Sequence, residues 1–254
     1  RLETIEERFK VDLSFLTAYY DPDYVDALST GALDKKAMRR IGFPWSQQLI
    51  ERTRTAVAGT CLTAKLALEH GKALNLTGGY HHAFADFGSG FCLFNDLYLA
   101  AKTMQQTPSV ENVLIVDLDV HQGDGTAKLA ENDRDIFTLS IHGEKNFPHR
   151  KQRSDIDIGL DKGTEDDEYL TTLEQASDVT RAKDARIKFQ REIVRVYSLW
   201  VMFPIISVVA WNIISSSDDP AYRIDVAFFI ADFSFFTCKN YQIAKNNRIT
   251  AFLS

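Results

Sequence analysis

One short segment, residues 113–126, constrains the fold of this 254-residue chain more than any other part of the sequence. It reads Val-Leu-Ile-Val-Asp-Leu-Asp-Val-His-Gln-Gly-Asp-Gly-Thr, four apolar residues followed by a polar cluster. A short continuous apolar run is typical of a buried strand in a parallel sheet. Because open α/β sheets bind ligands beyond the carboxyl ends of their strands, we expect the polar cluster to lie at a functional edge.

Asp119 and His121 in this cluster are two residues apart, so their side chains point to the same side of an extended backbone. One carboxylate and one imidazole are two of the three protein ligands that a catalytic zinc ion takes. We therefore expect the two side chains to converge within about 4 Å. The structural alternative is that an aspartate at the end of a strand caps a helix.

A second segment, residues 78–92, combines four glycines in fifteen residues with the adjacent histidines His81 and His82. The glycines predict a loop that brings the backbone close to another part of the molecule. Imidazole titrates near neutral pH, which suits these histidines to proton transfer beside a metal-bound water. Asp117 and Asp124 are the carboxylates left to orient the two rings. A purely structural role for both segments is the alternative.

The rest of the chain to about residue 183 alternates between helical and extended patterns. Apolar spacing predicts helices over residues 47–69, ended by Gly71, and 95–106, capped by Asn95. Strands are predicted at 73–76, 113–116 and 136–141, a short helix from Thr126, a loop at 142–157 and a helix from Thr164. This alternation predicts a three-layer α/β/α fold with a mainly parallel sheet.

Composition excludes some classes of function. A net charge of −6 and an isoelectric point near 5.5 argue against direct binding of nucleic acid. Cys61, Cys92 and Cys238 are too few and too far apart for a disulfide framework, which predicts a reducing, cytoplasmic compartment. No signal peptide opens the sequence, and a start at Arg1 instead of methionine predicts a chain truncated at its N-terminus.

Five motifs in this order resemble those of the zinc-dependent histone deacetylase family, nearest to its class IV and bacterial branch. They are Gly-Phe-Pro-Trp-Ser at 42–46, the His-His loop, Gly-Phe-Cys at 90–92, the segment 117–126, and Ser-Ile-His at 140–142. The resemblance covers about residues 20–183. It implies an arginase/deacetylase-like fold and a hydrolase that removes acyl groups from acylated lysine peptides or related acyl-amines, with no membrane partner.

Matched position by position, the resemblance also implies roles for single residues. Asp119 and His121 resemble zinc ligands. The catalytic positions are those of the histidine pair with one carboxylate each, namely His81 with Asp117 and His82 with Asp124. The substrate-binding positions are Gly90, Phe91 and Phe147, whose two aromatic rings wall a tunnel. A structural K⁺ ion is implied at Asp117, Asp119, His121, Ser140 and Ile141.

Beyond residue 183 the resemblance ends. All 13 glycines lie at or before Gly163, and the glycine turns that carry the third zinc ligand and the oxyanion-polarising tyrosine in the family are missing. Asp219 is a candidate third ligand, and Tyr222 and Tyr241 are candidates for the tyrosine. We therefore predict a catalytic domain at 1–183 and a divergent segment at 184–254, in the same domain or as an aberrant tail.

Two further features of this segment leave alternatives open. Residues 196–217 are uncharged and long enough to span a bilayer, but residues 205–214 fit a buried strand equally well. Residues 228–236 are similarly apolar and predict a strand or an aggregation-prone stretch.

Two alternatives to an active zinc-dependent deacetylase follow. The first is a catalytically impaired deacetylase-like chain that binds metal weakly and hydrolyses acetyl-lysine poorly. The second is a metal hydrolase of arginase-like fold that acts on another amide, because one fold hosts many functions. Arginase-type sites hold two metals and are rich in aspartate, whereas one Asp-x-His and a histidine pair suit a single zinc.

Overall fold

A computed structural model describes residues 10–184 and, as backbone alone, two later strands. Its helices are α1 (Leu13–Thr17), α2 (Pro22–Thr30), α3 (Lys35–Ile41), α4 (Gln47–His70), α5 (Asp96–Gln105), α6 (Asp124–Ala130) and α7 (Asp166–Asp184). Its strands are β1 (Lys72–Asn75), β2 (Val113–Asp117), β3 (Ile136–Gly143), β4 (Ile156–Leu160), β5 (Val194–Leu199) and β6 (Val226–Ala231).

The six strands form one sheet in the order β1-β5-β6-β2-β3-β4, and each neighbouring pair is parallel. β2 therefore lies inside the sheet, with β6 on one side and β3 on the other. Because all strands run in one direction, their carboxyl ends share one edge. The predicted α/β fold with a parallel sheet is confirmed.

Alternate residues of β2 pack into two different cores, one on each face of the sheet. Val113 and Ile115 belong to a cluster with buried side chains of α4 and α5. Leu114 and Val116 belong to a second cluster, which includes Leu173 of α7. Side chains of a strand alternate between faces, so a strand covered on both sides reads as a continuous apolar run. This explains why the apolar run of β2 shows no alternation.

Replacing Leu173 by alanine tests the packing of α7 on this second face. Leu173 is fully buried, so the truncation leaves a cavity, and we expect the free energy of unfolding to fall by about 2–5 kcal/mol. Val179 on the same helix is 48% exposed, and Val179→Ala should change it by no more than about 0.5 kcal/mol. Urea unfolding measures both. Equal effects of the two substitutions would show that α7 does not cover the sheet.

Most predicted elements occur with small shifts of their ends. α4 ends at Gly71, which adopts φ 79°, and the side chain of Asn95 caps α5 by accepting the backbone N–H of Tyr98. The loop predicted over 142–157 is wrong at both ends, because β3 continues to Gly143 and β4 begins at Ile156. Helices α1 to α3 were not predicted from the sequence pattern.

The C-terminal segment contributes β5 and β6 to the middle of the sheet. β5 includes the first four residues of the uncharged stretch 196–217, whereas the strand predicted at 205–214 lies outside the described residues. β6 overlaps the strand predicted at 228–236. Among the described residues, no helix has the length and hydropathy needed to cross a bilayer. The division of the chain at residue 183 stays a prediction.

Candidate active site

The end of β2 turns sharply through two side-chain to backbone hydrogen bonds. The carboxylate of Asp117 accepts the backbone N–H of Asp119 at 3.0 Å, and the carboxylate of Asp119 accepts the backbone N–H of His121 at 2.6 Å. Aspartate favours such local bonds to a backbone N–H two residues on. The three polar side chains are therefore held at the carboxyl edge of the sheet, where the sequence predicted them.

Asp119 and His121 converge as expected from their spacing. Oδ1 of Asp119 lies 3.0 Å from Nδ1 of His121. Burial raises the pKa of the Asp119 carboxyl, but the charge of His81 and the hydrogen bonds from His121 outweigh it and lower this pKa to about 2. Asp119 is therefore ionised at neutral pH, and its oxygen lies within hydrogen-bond distance of the imidazole nitrogen.

The two loop histidines each contact one carboxylate, as predicted. Nδ1 of His81 lies 2.7 Å from Oδ2 of Asp117, and Nδ1 of His82 lies 2.6 Å from Oδ1 of Asp124. All four side chains are buried, and the two ring centroids are 4.1 Å apart. An ionised carboxylate only accepts hydrogen bonds, so each ring donates from Nδ1 and keeps Nε2 for other partners.

The environment drives the pKa values of the two histidines apart. Burial lowers the pKa of His81, but the charges of Asp117 and Asp119 more than compensate and raise it to about 10. Burial and the positive charge of His81 lower the pKa of His82 below its ordinary value. At neutral pH the pair therefore consists of one protonated ring and one neutral ring.

Two glycines lie so close to the histidine rings that a side chain at either position would overlap with a ring or with its carboxylate partner. A Cβ atom on Gly90 would lie 2.6 Å from Cδ2 of His82. A Cβ atom on Gly123 would collide with the carboxylate of Asp117 and would lie 3.2 Å from the ring of His81. Any larger residue at either position would push a histidine or its partner out of place.

A cavity of about 600 Å³ opens over this cluster and carries aromatic side chains. Its lining includes His81, His82, Asp119, His121, Phe91 and Phe147. The ring of Phe147 packs edge-on against His82 with centroids 4.9 Å apart. Phe91 is 52% exposed and Phe147 is 38% exposed. The lining thus combines partly exposed aromatic rings with buried polar side chains.

A family model described as "Histone deacetylase domain" matches residues 3–194. The chain belongs to the histone deacetylase family. This match contains the predicted resemblance over about residues 20–183 and extends it at both ends. A solved "HDAC homolog from Aquifex aeolicus" has the same fold, with a TM-score of 0.64 and 21% sequence identity over 87% of this chain and 66% of that one.

Curated relatives match about three fifths of the chain. An uncharacterized protein of Picosynechococcus sp. is 56% identical over 162 residues, which is 64% of this chain and 54% of that protein. "Histone deacetylase 2" of Arabidopsis thaliana is 36% identical over 151 residues, 58% of this chain and 38% of that protein. The chain thus spans about half, or less, of the length of these relatives.

The described residues provide part of the donor set that a catalytic zinc ion needs. Asp119 and His121 offer one carboxylate and one imidazole, the donor types that zinc takes. Within residues 10–184, no third His, Cys, Asp or Glu joins them in a cluster that could hold a metal ion. Asp219, Tyr222 and Tyr241 lie outside the described residues. Two donors of suitable chemistry thus lie together in the described part of the chain, and zinc binding there stays a prediction.

The positions predicted for K⁺ lie on the adjacent strands β2 and β3 and in the turn that follows β2. Asp117 pairs with Ser140 in the parallel register of these strands. The hydroxyl of Ser140 lies 2.9 Å from Nδ1 of the buried His142. K⁺ binding at this edge stays a prediction.

Two buried polar residues of the site were not predicted from the sequence. Asp96 accepts hydrogen bonds from the loop that precedes the histidines. Gln122 donates to Asp157 at 2.6 Å and to the carbonyl of Gln152 at 2.8 Å, which ties the segment carrying Phe147 to the turn after β2. Both contacts join residues far apart in the sequence, so no local pattern indicated them.

Proposed function

We propose that this chain is a zinc-dependent hydrolase that removes acyl groups from acylated lysine or a related acyl-amine. The observation that carries the proposal is the pair of buried His–Asp contacts beside the converging Asp119 and His121, at the floor of one cavity. Membership of the histone deacetylase family supports the same reaction class.

The opposite pKa shifts of the two histidines support different roles for them in the proposed reaction. His82, with its lowered pKa, is neutral and accepts the proton of the attacking water through Nε2. His81, with its pKa near 10, is protonated and donates to the departing amine as the acyl C–N bond breaks. Asp117 and Asp124 hold the rings in the required tautomer and orientation.

Asp119 and His121 are the residues proposed to hold zinc. The chemistry that zinc supplies at such sites is polarisation of the carbonyl and a lowering of the pKa of bound water to about 7. Hydrogen bonds at the end of β2 fix the backbone of both residues, which supports this assignment.

The aromatic rings of Phe91 and Phe147 favour a substrate with an apolar stem. Four methylene groups separate the backbone of lysine from its amide, and rings that line the cavity can contact such a stem. Gly90 keeps the passage open beside His82. With its negative net charge, the chain is proposed to act on a peptide or small acyl-amine in the cytoplasm, without direct contact to nucleic acid or membrane.

The impaired alternative is favoured by one specific observation of the sequence: no glycine follows Gly163, so the glycine turns that carry the third zinc ligand and the oxyanion-polarising tyrosine in the family are missing. An incomplete ligand set holds zinc weakly, and loss of one oxyanion donor costs roughly 10²–10³-fold in rate. We therefore expect slow turnover by the chain as it stands. The other alternative, a two-metal hydrolase, needs more carboxylates than Asp119 beside His121.

Hydrolysis of an acetyl-lysine peptide, followed by mass spectrometry over long incubations, tests the proposal. We expect slow formation of the free lysine peptide, its loss with a zinc chelator, and its return when zinc is added. An equal rate of product formation with and without the chelator would contradict a zinc-dependent reaction. No product with zinc supplied would favour the impaired alternative.

A further inference from the structure

The loop that carries the histidine pair is tied to the start of α5 by one buried carboxylate. Oδ1 of Asp96 accepts the backbone N–H of Tyr80 at 2.7 Å, and Oδ2 accepts the backbone N–H of Gly79 at 3.0 Å. Oδ2 also accepts the hydroxyl of Thr60 at 2.6 Å. Asp96 is fully buried. Its two oxygens thus hold the two residues that immediately precede His81.

The neighbour of Asp96 holds the same loop on the other side of His81. Nδ2 of Asn95 donates to the hydroxyl of Thr126 at 2.8 Å, and the backbone N–H of Thr126 donates to the carbonyl of His81 at 3.0 Å. The chain around His81 is therefore held at three backbone groups, the N–H groups of Gly79 and Tyr80 and the carbonyl of His81. Rotation of this backbone would move both rings away from their carboxylates.

A carboxylate at this position carries a cost for folding. Burial raises the pKa of Asp96 even though three hydrogen bonds favour its charged form. A neutral side chain of the same shape would avoid this desolvation. The benefit of the charge is that both oxygens accept, which lets one side chain bind two adjacent backbone N–H groups.

We propose that Asp96 is a positioning residue for catalysis, which sets the His81–His82 loop through the N–H groups of Gly79 and Tyr80. This inference rests on the proposed function of the histidine pair. Asp96 itself does not line the cavity, so it acts through the loop that carries the histidines.

Asp96→Asn is the sharpest test, because it keeps the shape and replaces one acceptor oxygen by a donor. In either orientation of the amide, the N–H of Gly79 or of Tyr80 faces an NH₂ group and loses its acceptor. We expect faster amide hydrogen exchange at one of these residues, by about 10-fold or more. On acetyl-lysine peptide we expect kcat to fall by about 10-fold to 10²-fold, the scale of a misplacement near 1 Å, with KM changed less than about 2-fold.

Leu173→Ala is the matched control for lost stability. Leu173 packs on the face of the sheet opposite to α4 and α5, the helix that carries Asp96. This substitution should lower the thermal midpoint and leave kcat of the folded protein unchanged. Wild-type kcat in Asp96→Asn, or unchanged exchange at both Gly79 and Tyr80, would overturn the inference. If the wild-type chain shows no hydrolysis, the proposed function fails, while the exchange measurement still decides whether Asp96 holds the loop.

Discussion

Replacement of His82 by alanine is expected to lower kcat on acetyl-lysine peptide by about 10²–10⁴-fold, the usual contribution of a general base. His82 is the ring kept neutral by burial and by the charge of His81, and its Nδ1 is committed to Asp124. Alanine removes the proposed proton acceptor and leaves Asp119 and His121, the proposed zinc ligands, in place. Zinc affinity should therefore change far less than kcat.

His70→Ala is the matched control for this substitution. The side chain of His70 is 67% exposed at the end of α4 and lies outside the cavity. Its removal should leave kcat and the thermal midpoint unchanged. Circular dichroism and thermal unfolding verify that the His82→Ala protein is folded. A folded His82→Ala protein with more than about one tenth of wild-type kcat would exclude His82 as the general base.

The fold near the site was predictable because its signals are local. The apolar run of β2 and the helical spacing of α4 depend on residues close in sequence, as do the cap of α5 and Gly71. Chemical reasoning singled out Asp117 and Asp124 as the carboxylates for the two histidines, the resemblance implied which histidine each one contacts, and the structure has both contacts.

The features missed by sequence reasoning depend on tertiary contacts or on weak patterns. β4 is a half-buried edge strand that contains Asp157 and Gly159, so its apolar pattern is short, and its pairing with β3 defines it. Asp96 looks like an ordinary acid in the first turn of a helix, and its bonds to Gly79 and Tyr80 exist only in the folded chain.

His121→Ala has the other large expected effect, loss of stoichiometric zinc binding. Asp119 and His121 are the two proposed zinc ligands, and removal of His121 leaves a single carboxylate. Loss of an outer-shell partner alone typically costs 10–100-fold in metal affinity, so loss of a direct ligand should cost more than about 100-fold. His121 is partly exposed, with 34% of its side chain accessible, so its truncation should disturb the fold little.

Zinc titration of chelator-treated protein by calorimetry, with wild type, His121→Ala and His70→Ala compared, tests the central claim most directly. The account predicts one zinc per chain for wild type and for His70→Ala, and an affinity lower by more than about 100-fold for His121→Ala. Equal zinc binding by His121→Ala and wild type would contradict a metal site at Asp119 and His121.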